Sequence, residues 1–241
     1  MGINVNGNVI NSSDLTSVGV FKTKIARDGL ICYLDAANLE SYSGSGTAWY
    51  DLSNNGNNVT IYGSPSLTSV GGATAFNLTA DGHYMSYGSF AYSPTTVGTL
   101  EAWIYPAASE VTSGDRGTVI LLTGGSGMYM SWNKSNTYMS NYWYSHSPEG
   151  YHEQVSSSRG GWHHWCSVWD NKSVYQYADG VFGVVQGVSG TSSANGTLVI
   201  GRESSGRQFS GGIAIIRIYN RALEGTEVWE NFQADRQRFG I

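Results

Sequence analysis

Apolar and polar residues alternate in short runs along most of the chain, and Gly, Asn, Asp and Ser separate the runs. A period of two marks strands, whose successive side chains point to opposite faces. The clearest case is Gly161–Val185, where Trp162–Trp169, Val174–Ala178 and Val181–Val185 read as three strands. Asp170-Asn171-Lys172-Ser173 and Asp179-Gly180 join them. Asp-Gly suits a two-residue hairpin, which needs positive φ at both positions. In the first strand Trp162, Cys166 and Val168 share one face, and Trp165 and Trp169 the other. A strand apolar on both faces is covered on both sides, at the centre of a sandwich rather than at its edge.

The same pattern predicts strands at Leu30–Leu34, Val59–Tyr62, Thr99–Tyr105 (stopped by Pro106), Thr118–Thr123, Met128–Trp132, Leu198–Gly201 and Gly212–Tyr219. Ala75–Leu78 and His83–Tyr87 read as a pair turned by Asp81-Gly82, and Trp49–Asn58 as a structured turn cluster. Asn133–Ser158 reads as irregular and rich in aromatics. One helix is expected at about Glu224–Arg236, docked by Val228, Trp229 and Phe232, with acidic residues early and Arg236 late to suit its dipole. Many short strands and one helix predict an all-β, two-sheet antiparallel jelly-roll sandwich with a short C-terminal helix. Residues 1–27 lack an aromatic before Phe21 and read either as an extended N-terminal arm or as a disordered tail. The domain proper is expected over 28–241.

Composition sharpens this picture. Only 13% of the 241 residues are charged and 32 are Gly, so hydroxyls and amides solvate the surface. The net charge is −5 and no Lys/Arg cluster occurs, which argues against nucleic acid as a partner. No apolar run approaches the length of about 20 residues that crosses a bilayer, so no membrane partner is expected. The start of the chain has neither the basic segment nor the apolar core of a secretory signal. Cys32 and Cys166 both lie in apolar runs and read as buried free thiols, with pairing left open.

Gly29-Leu-Ile-Cys-Tyr-Leu-Asp-Ala, Trp49-Tyr-Asp-Leu-Ser-Asn-Asn-Gly-Asn-Asn, Trp162-His-His-Trp, Tyr177-Ala-Asp-Gly and Gly212-Ile-Ala-Ile-Ile-Arg-Ile-Tyr-Asn-Arg-Ala-Leu resemble the concanavalin A-like, laminin G-like jelly rolls. The version with Leu-Asp-Ala and Trp-Tyr-Asp-Leu-Ser is most similar to domains of tailed-phage structural proteins, cyanophages included. The resemblance covers about 28–241. It implies a non-enzymatic structural protein of the virion, a capsid or neck decoration protein, oligomeric in the particle and bound to other virion proteins. Ile3, Val5, Val9 and Ile10 would anchor its arm. The alternative is a tail-fibre adhesin that binds host surface glycan. Where relatives often carry Ser before the helix this chain has Glu224, a poorer cap.

The fold alone implies no activity, since it hosts lectins, glycosidases and adhesion modules alike. Glycosidases need two facing carboxyl groups. Glucanases of this fold carry Glu-x-Asp-x-x-Glu on a strand, but here Glu101 stands alone in its strand, and Glu149 and Glu153 flank Gly150 in an irregular segment. No catalytic residue and no cofactor is expected. Laminin G-like relatives often hold one calcium, for which Asp35, Asp51 and Asp81 are the candidate donors; each also reads as an ordinary turn or strand-end residue. His163-His164 point to opposite faces of a strand and make no zinc site. Tyr138, Tyr142, Trp143, Tyr144, His146 and Tyr151 read either as a small core beneath a loop or as a contact surface for glycan or protein. The sequons at Asn58, Asn77 and Asn171 have no meaning outside a secretory pathway.

Overall fold

The computed structural model describes residues 24–91, 97–111, 113–123, 128–134, 138–143, 150–156, 158–187, 195–203 and 206–241, together with two strand segments at 3–5 and 8–10. The strands in chain order begin with β1 (Ile3–Val5), β2 (Asn8–Ile10), β3 (Leu30–Asp35), β4 (Ala48–Trp49), β5 (Val59–Tyr62) and β6 (Ser66–Val70). Next come β7 (Ala73–Leu78), β8 (Tyr84–Ala91), β9 (Val97–Pro106), β10 (Arg116–Leu122), β11 (Met128–Asn133) and β12 (Tyr138–Trp143). The last are β13 (Gly150–Ser156), β14 (His163–Asp170), β15 (Ser173–Ala178), β16 (Val181–Gly187), β17 (Asn195–Ile200) and β18 (Gly211–Tyr219). Helix α1 (Gly225–Phe239) follows.

Two antiparallel sheets carry the fold. The front sheet runs β13-β12-β11-β10-β17-β8-β5-β4 and the back sheet β16-β15-β14-β9-β18-β7-β6, with β3 paired to β18 beyond β7. Between them lies one apolar cluster that includes Trp49, Phe76, Met85, Met130, Trp132, Trp165, Trp169 and Phe209. The jelly-roll sandwich and its C-terminal helix are as expected. The β14 strand is central, with every residue from His164 to Trp169 buried. Its Trp165 and Trp169 face the other sheet, while Trp162, Cys166 and Val168 lie under α1.

The helix explains why the central back strands are apolar on both sides. Phe239 and Phe232 stack on Trp103 of β9 at 4.1 and 5.7 Å between ring centroids. Burying such aromatic rings contributes on the order of 3 kcal/mol each. Asp179 and Gly180 both have positive φ, as the hairpin requires. A Cβ on Gly180 would also fall 2.6 Å from the Phe232 ring, so only Gly lets the helix settle on this turn.

The free edge of β3 is closed by side chains instead of a strand. Asp51 accepts from the Tyr33 N–H (2.8 Å), and Asn55 and Asn57 donate to the carbonyls of Leu30 and Ile31 (3.2 and 2.6 Å). That is the physical use of the Asp-Leu-Ser-Asn-Asn-Gly-Asn run: an otherwise open edge is capped.

Four expectations are corrected. Ala75–Leu78 and His83–Tyr87 are not a hairpin, because β7 lies in the back sheet and β8 in the front. Asp81-Gly82 is the crossing between the sheets, and Gln208 pins it by accepting from the Gly82 N–H (2.9 Å) and donating to the His83 carbonyl (2.6 Å). Asn133–Ser158 is not irregular throughout; it contains β12 and β13, whose mixed residues show no plain apolar alternation. Trp229 is 45% exposed, and the helix docks instead through Val228, Asn231, Phe232 and Phe239. Glu224 does not leave the helix start uncapped: Glu227 accepts from the Glu224 N–H (2.9 Å) and is itself held by both terminal nitrogens of Arg221.

Candidate functional site

The two sheets present very different outer faces. On the front sheet, strand register sorts the positions. Met85, Ile61, Ile200, Leu122, Met128 and Met130 face the core, so their neighbours along each strand face away. One outward row runs Thr60, Ser86, Val199, Leu121 across three strand pairings. Tyr62 and Tyr84 are cross-strand partners two residues along from that row. Their rings stack with centroids 4.6 Å apart and planes 9° off parallel, and Tyr62 is 43% exposed.

Arg202 continues this stack, its guanidinium carbon 5.3 Å from the Tyr84 ring centroid. Gly201 sets its position. The Gly201 N–H donates to the Val119 carbonyl and its carbonyl accepts from the Phe209 N–H, both at 2.9 Å. A Cβ there would fall 2.3 Å from Leu78, and φ is +87°, so the bend that carries Arg202 out of β17 needs Gly. Tyr84, Val199, Arg202 and Glu203 line an open cleft of about 320 Å³. Glu203 is held by Arg207 at 3.1 and 3.2 Å, Arg207 lies 3.7 Å from Asp115, and Asp115 pairs with Arg116.

The sequence candidates divide by register. Tyr138, Tyr142 and Tyr151 lie in β12 and β13 of the front sheet, in strands rather than in a loop. Trp143 is the register partner of Met128 across β11 and β12. Tyr144 and His146 lie outside the described residues. Tyr62, Tyr84 and Arg202 were missed. The signal was present: Thr60, Tyr62, Tyr84 and Ser86 alternate with buried Ile61 and Met85, but their sheet order had first to be known. Of the arm positions, Ile3 pairs with Ile10, and Val5 and Val9 with Asn8 and Asn4, in a two-stranded sheet of their own.

The back sheet's outer face is sealed over a buried charge network. Arg217 bonds Glu101 and Asp235, each at 2.5 Å, and packs 4.8 Å from the Tyr33 ring centroid. Asn231 of α1 donates to Glu101 (2.6 Å) and to the Tyr219 hydroxyl (3.0 Å), and accepts from the Ala26 N–H (2.8 Å). His164 Nε2 lies 3.2 Å from Glu101. Burial pushes the Glu101 carboxyl up, but Arg217 and the hydrogen bonds win and hold it at about 2. A carboxylate so enclosed by protein is a fold element with no opening to substrate.

The calcium candidates are placed apart in role. Asp35 is paired with Arg238 at 2.7 and 2.9 Å, Asp51 caps the turn that closes β3, and Asp81 sits exposed in the sheet crossing. Among the described residues no group of three or more His, Cys, Asp or Glu is arranged to hold a metal. His163 approaches Asp179 (3.3 Å) on the opposite side from His164. Cys32 faces the inter-sheet core and Cys166 the helix, so both thiols are free, and burial raises the pKa of each. No helix among the described residues is long and apolar enough to cross a membrane.

A second cleft of about 270 Å³ lies beside the start of α1, lined by residues that include Asp170, Tyr175, Tyr177, Leu223 and Glu224. Tyr175 donates to Asp170 at 3.1 Å, so this carboxylate is already engaged.

A two-sheet sandwich with one face sealed and one face open defines a jelly roll of the lectin type. The chain belongs to the concanavalin A-like lectin/glucanases superfamily: its laminin G type 3 profile matches residues 81–229. Among solved structures the chain is similar to the receptor-binding domain of botulinum neurotoxin D, with a TM-score of 0.67 and 14% identity over 87% of this chain and 53% of that one. A ligand-binding domain of the same serotype, in complex with N-acetylneuraminic acid, gives a TM-score of 0.65 at 14% identity over 86% of this chain and 51% of that one. The chain thus spans about half of each toxin domain. Domain 4 of AbnA, an extracellular arabinanase from Geobacillus stearothermophilus in complex with arabinotriose, gives a TM-score of 0.57 at 19% identity, over 85% of this chain and 98% of that domain. No curated protein matches the chain in sequence.

Proposed function

We propose that this chain is a non-catalytic glycan-recognition module whose contact surface is the outer face of the front sheet. The observation that carries the reading is the Tyr62–Tyr84 stack, exposed at its Tyr62 end and continued by Arg202 at the mouth of a cleft. Sugars offer C–H faces to flat rings and hydroxyls to charged and phenolic groups, and this face supplies both. The arabinanase domain supports the reading, because nearly its whole length aligns and its ligand is an oligosaccharide. The toxin ligand lends less, since half of each toxin domain has no counterpart here. The sequestration of Glu101 fits a module that binds without cleaving, and the reading calls for no cofactor. A glycan array probed with wild type and Tyr62→Ala tests it: a glycan signal on the wild type that falls about tenfold in the variant is expected. A blank array, or a signal indifferent to Tyr62, refutes it.

The setting we infer is the particle of a tailed phage, as the sequence resemblance implies, with the module as decoration protein or tail-fibre adhesin. One observation favours attachment through the first residues: β1 and β2 pair with each other and not with either sheet of the sandwich. Deletion of residues 1–23, which spares the Ala26 bond to Asn231, is expected to leave a folded domain that no longer joins particles.

A further inference from the structure

We propose that the sugar taken by the front face carries a carboxylate, and that Arg202 is the residue that reads it. This rests on the reading of that face as a glycan site. Arg116, Asp115, Arg207 and Glu203 form a chain of two cations and two anions that neutralise one another. Arg202 stands outside that chain; among the described residues no carboxylate pairs with it. Among the described residues the cleft therefore holds one uncompensated positive charge.

The geometry suits an anion of one shape. A guanidinium is planar, and its N–H groups match a carboxylate two at a time, which an ammonium cannot do. Arg202 rests against the Tyr84 ring, and the strand end at Gly201 fixes its backbone. A side chain held before the ligand arrives loses less freedom on binding. Glu203 lines the same cleft and would repel an anion, but Arg207 grips both its oxygens and offsets its charge. Tyr62, half exposed beside this group, offers its ring to the apolar face of the same sugar. The volume, about 320 Å³, is at the small end for ligand sites and fits one or two sugar units in contact with the surface.

The test uses matched pairs that differ in charge: trigalacturonate against its methyl ester, and 3′-sialyllactose against lactose. Affinities for the full chain, Arg202→Gln and Arg202→Lys are measured by calorimetry at low and high salt. At least one acid is expected to bind the wild type about tenfold more tightly than its neutral twin. Arg202→Gln brings that ratio close to one, Arg202→Lys leaves it between, and added salt shrinks it. Which pair shows the ratio distinguishes a uronic from a sialic acid. Twins that bind the wild type equally, or a ratio that survives Arg202→Gln, overturn the charge inference and leave the glycan reading standing. Failure of all four probes overturns the inference; a blank array as well removes the reading beneath it.

Discussion

The outer faces of the two sheets are built from the same alternation of strand residues and meet opposite fates. On the back sheet the outward residues of β9, β14 and β18 are Glu101, Trp103, His164, Cys166, Ile215, Arg217 and Tyr219, and α1 covers them. On the front sheet the outward positions carry Thr60, Tyr62, Tyr84, Ser86 and Val199, and among the described residues no helix covers them. The back face has its charges paired internally, down to Asn231 satisfying Glu101 and Tyr219 at once. Among the described residues the front face leaves Arg202 without a carboxylate. The back-face charges answer one another inside the protein, where a low dielectric strengthens each contact.

The largest effect should come from opening the sealed network. Arg217→Ala leaves Glu101 buried without its cation, and breaking a buried pair from one side costs about 3–5 kcal/mol. Chemical denaturation should show a loss of that size, with no comparable loss for Arg202→Ala, whose guanidinium has no buried partner. Equal losses would erase the distinction between the faces.

A pair of neighbours on β5 sharpens the comparison within one strand. Ile61 faces the core and Thr60 is exposed. Ile61→Ala should lower stability by about 3 kcal/mol, and Thr60→Ala by less than about 0.5. Thermal melts of the two variants check the register of β5 directly; a reversed order would mean that the strand is shifted by one residue.

The two faces also differ in how far they could be read beforehand. The Asp179-Gly180 hairpin, the two-sided burial of β14 and the C-terminal helix follow from spacing and turn chemistry, which are local. Glu101 looked isolated because its partners Arg217 and Asn231 come from β18 and α1, more than a hundred residues away. The aromatic segment reads as irregular from local spacing because β12 and β13 take their register from β11, and a face exists only once strands have partners. Tyr62 and Tyr84 meet for the same reason, across β5 and β8.

Acid should produce a smaller effect than either buried substitution, with Glu101 of the sealed face as its main source. The Glu101 carboxyl is lowered from 4.5 to about 2 by Arg217 and its hydrogen bonds, against the opposing push of burial. A depressed carboxylate stabilises the fold fully above its unfolded value, and that stability is lost as pH falls through the folded value. The window is therefore between about pH 4.5 and pH 2. Glu227, held down by its hydrogen bonds from Arg221, acts in the same direction. Between pH 6 and pH 4 only the upper edge of the window is crossed, so the loss assignable to Glu101 should be about 1 kcal/mol. Urea midpoints at the two pH values, compared between wild type and Glu101→Gln, isolate it: the amide removes this part of the slope even though it lowers stability at both. A slope unchanged in Glu101→Gln would mean that the Glu101–Arg217 pair is not what ties the helix-covered face to acid.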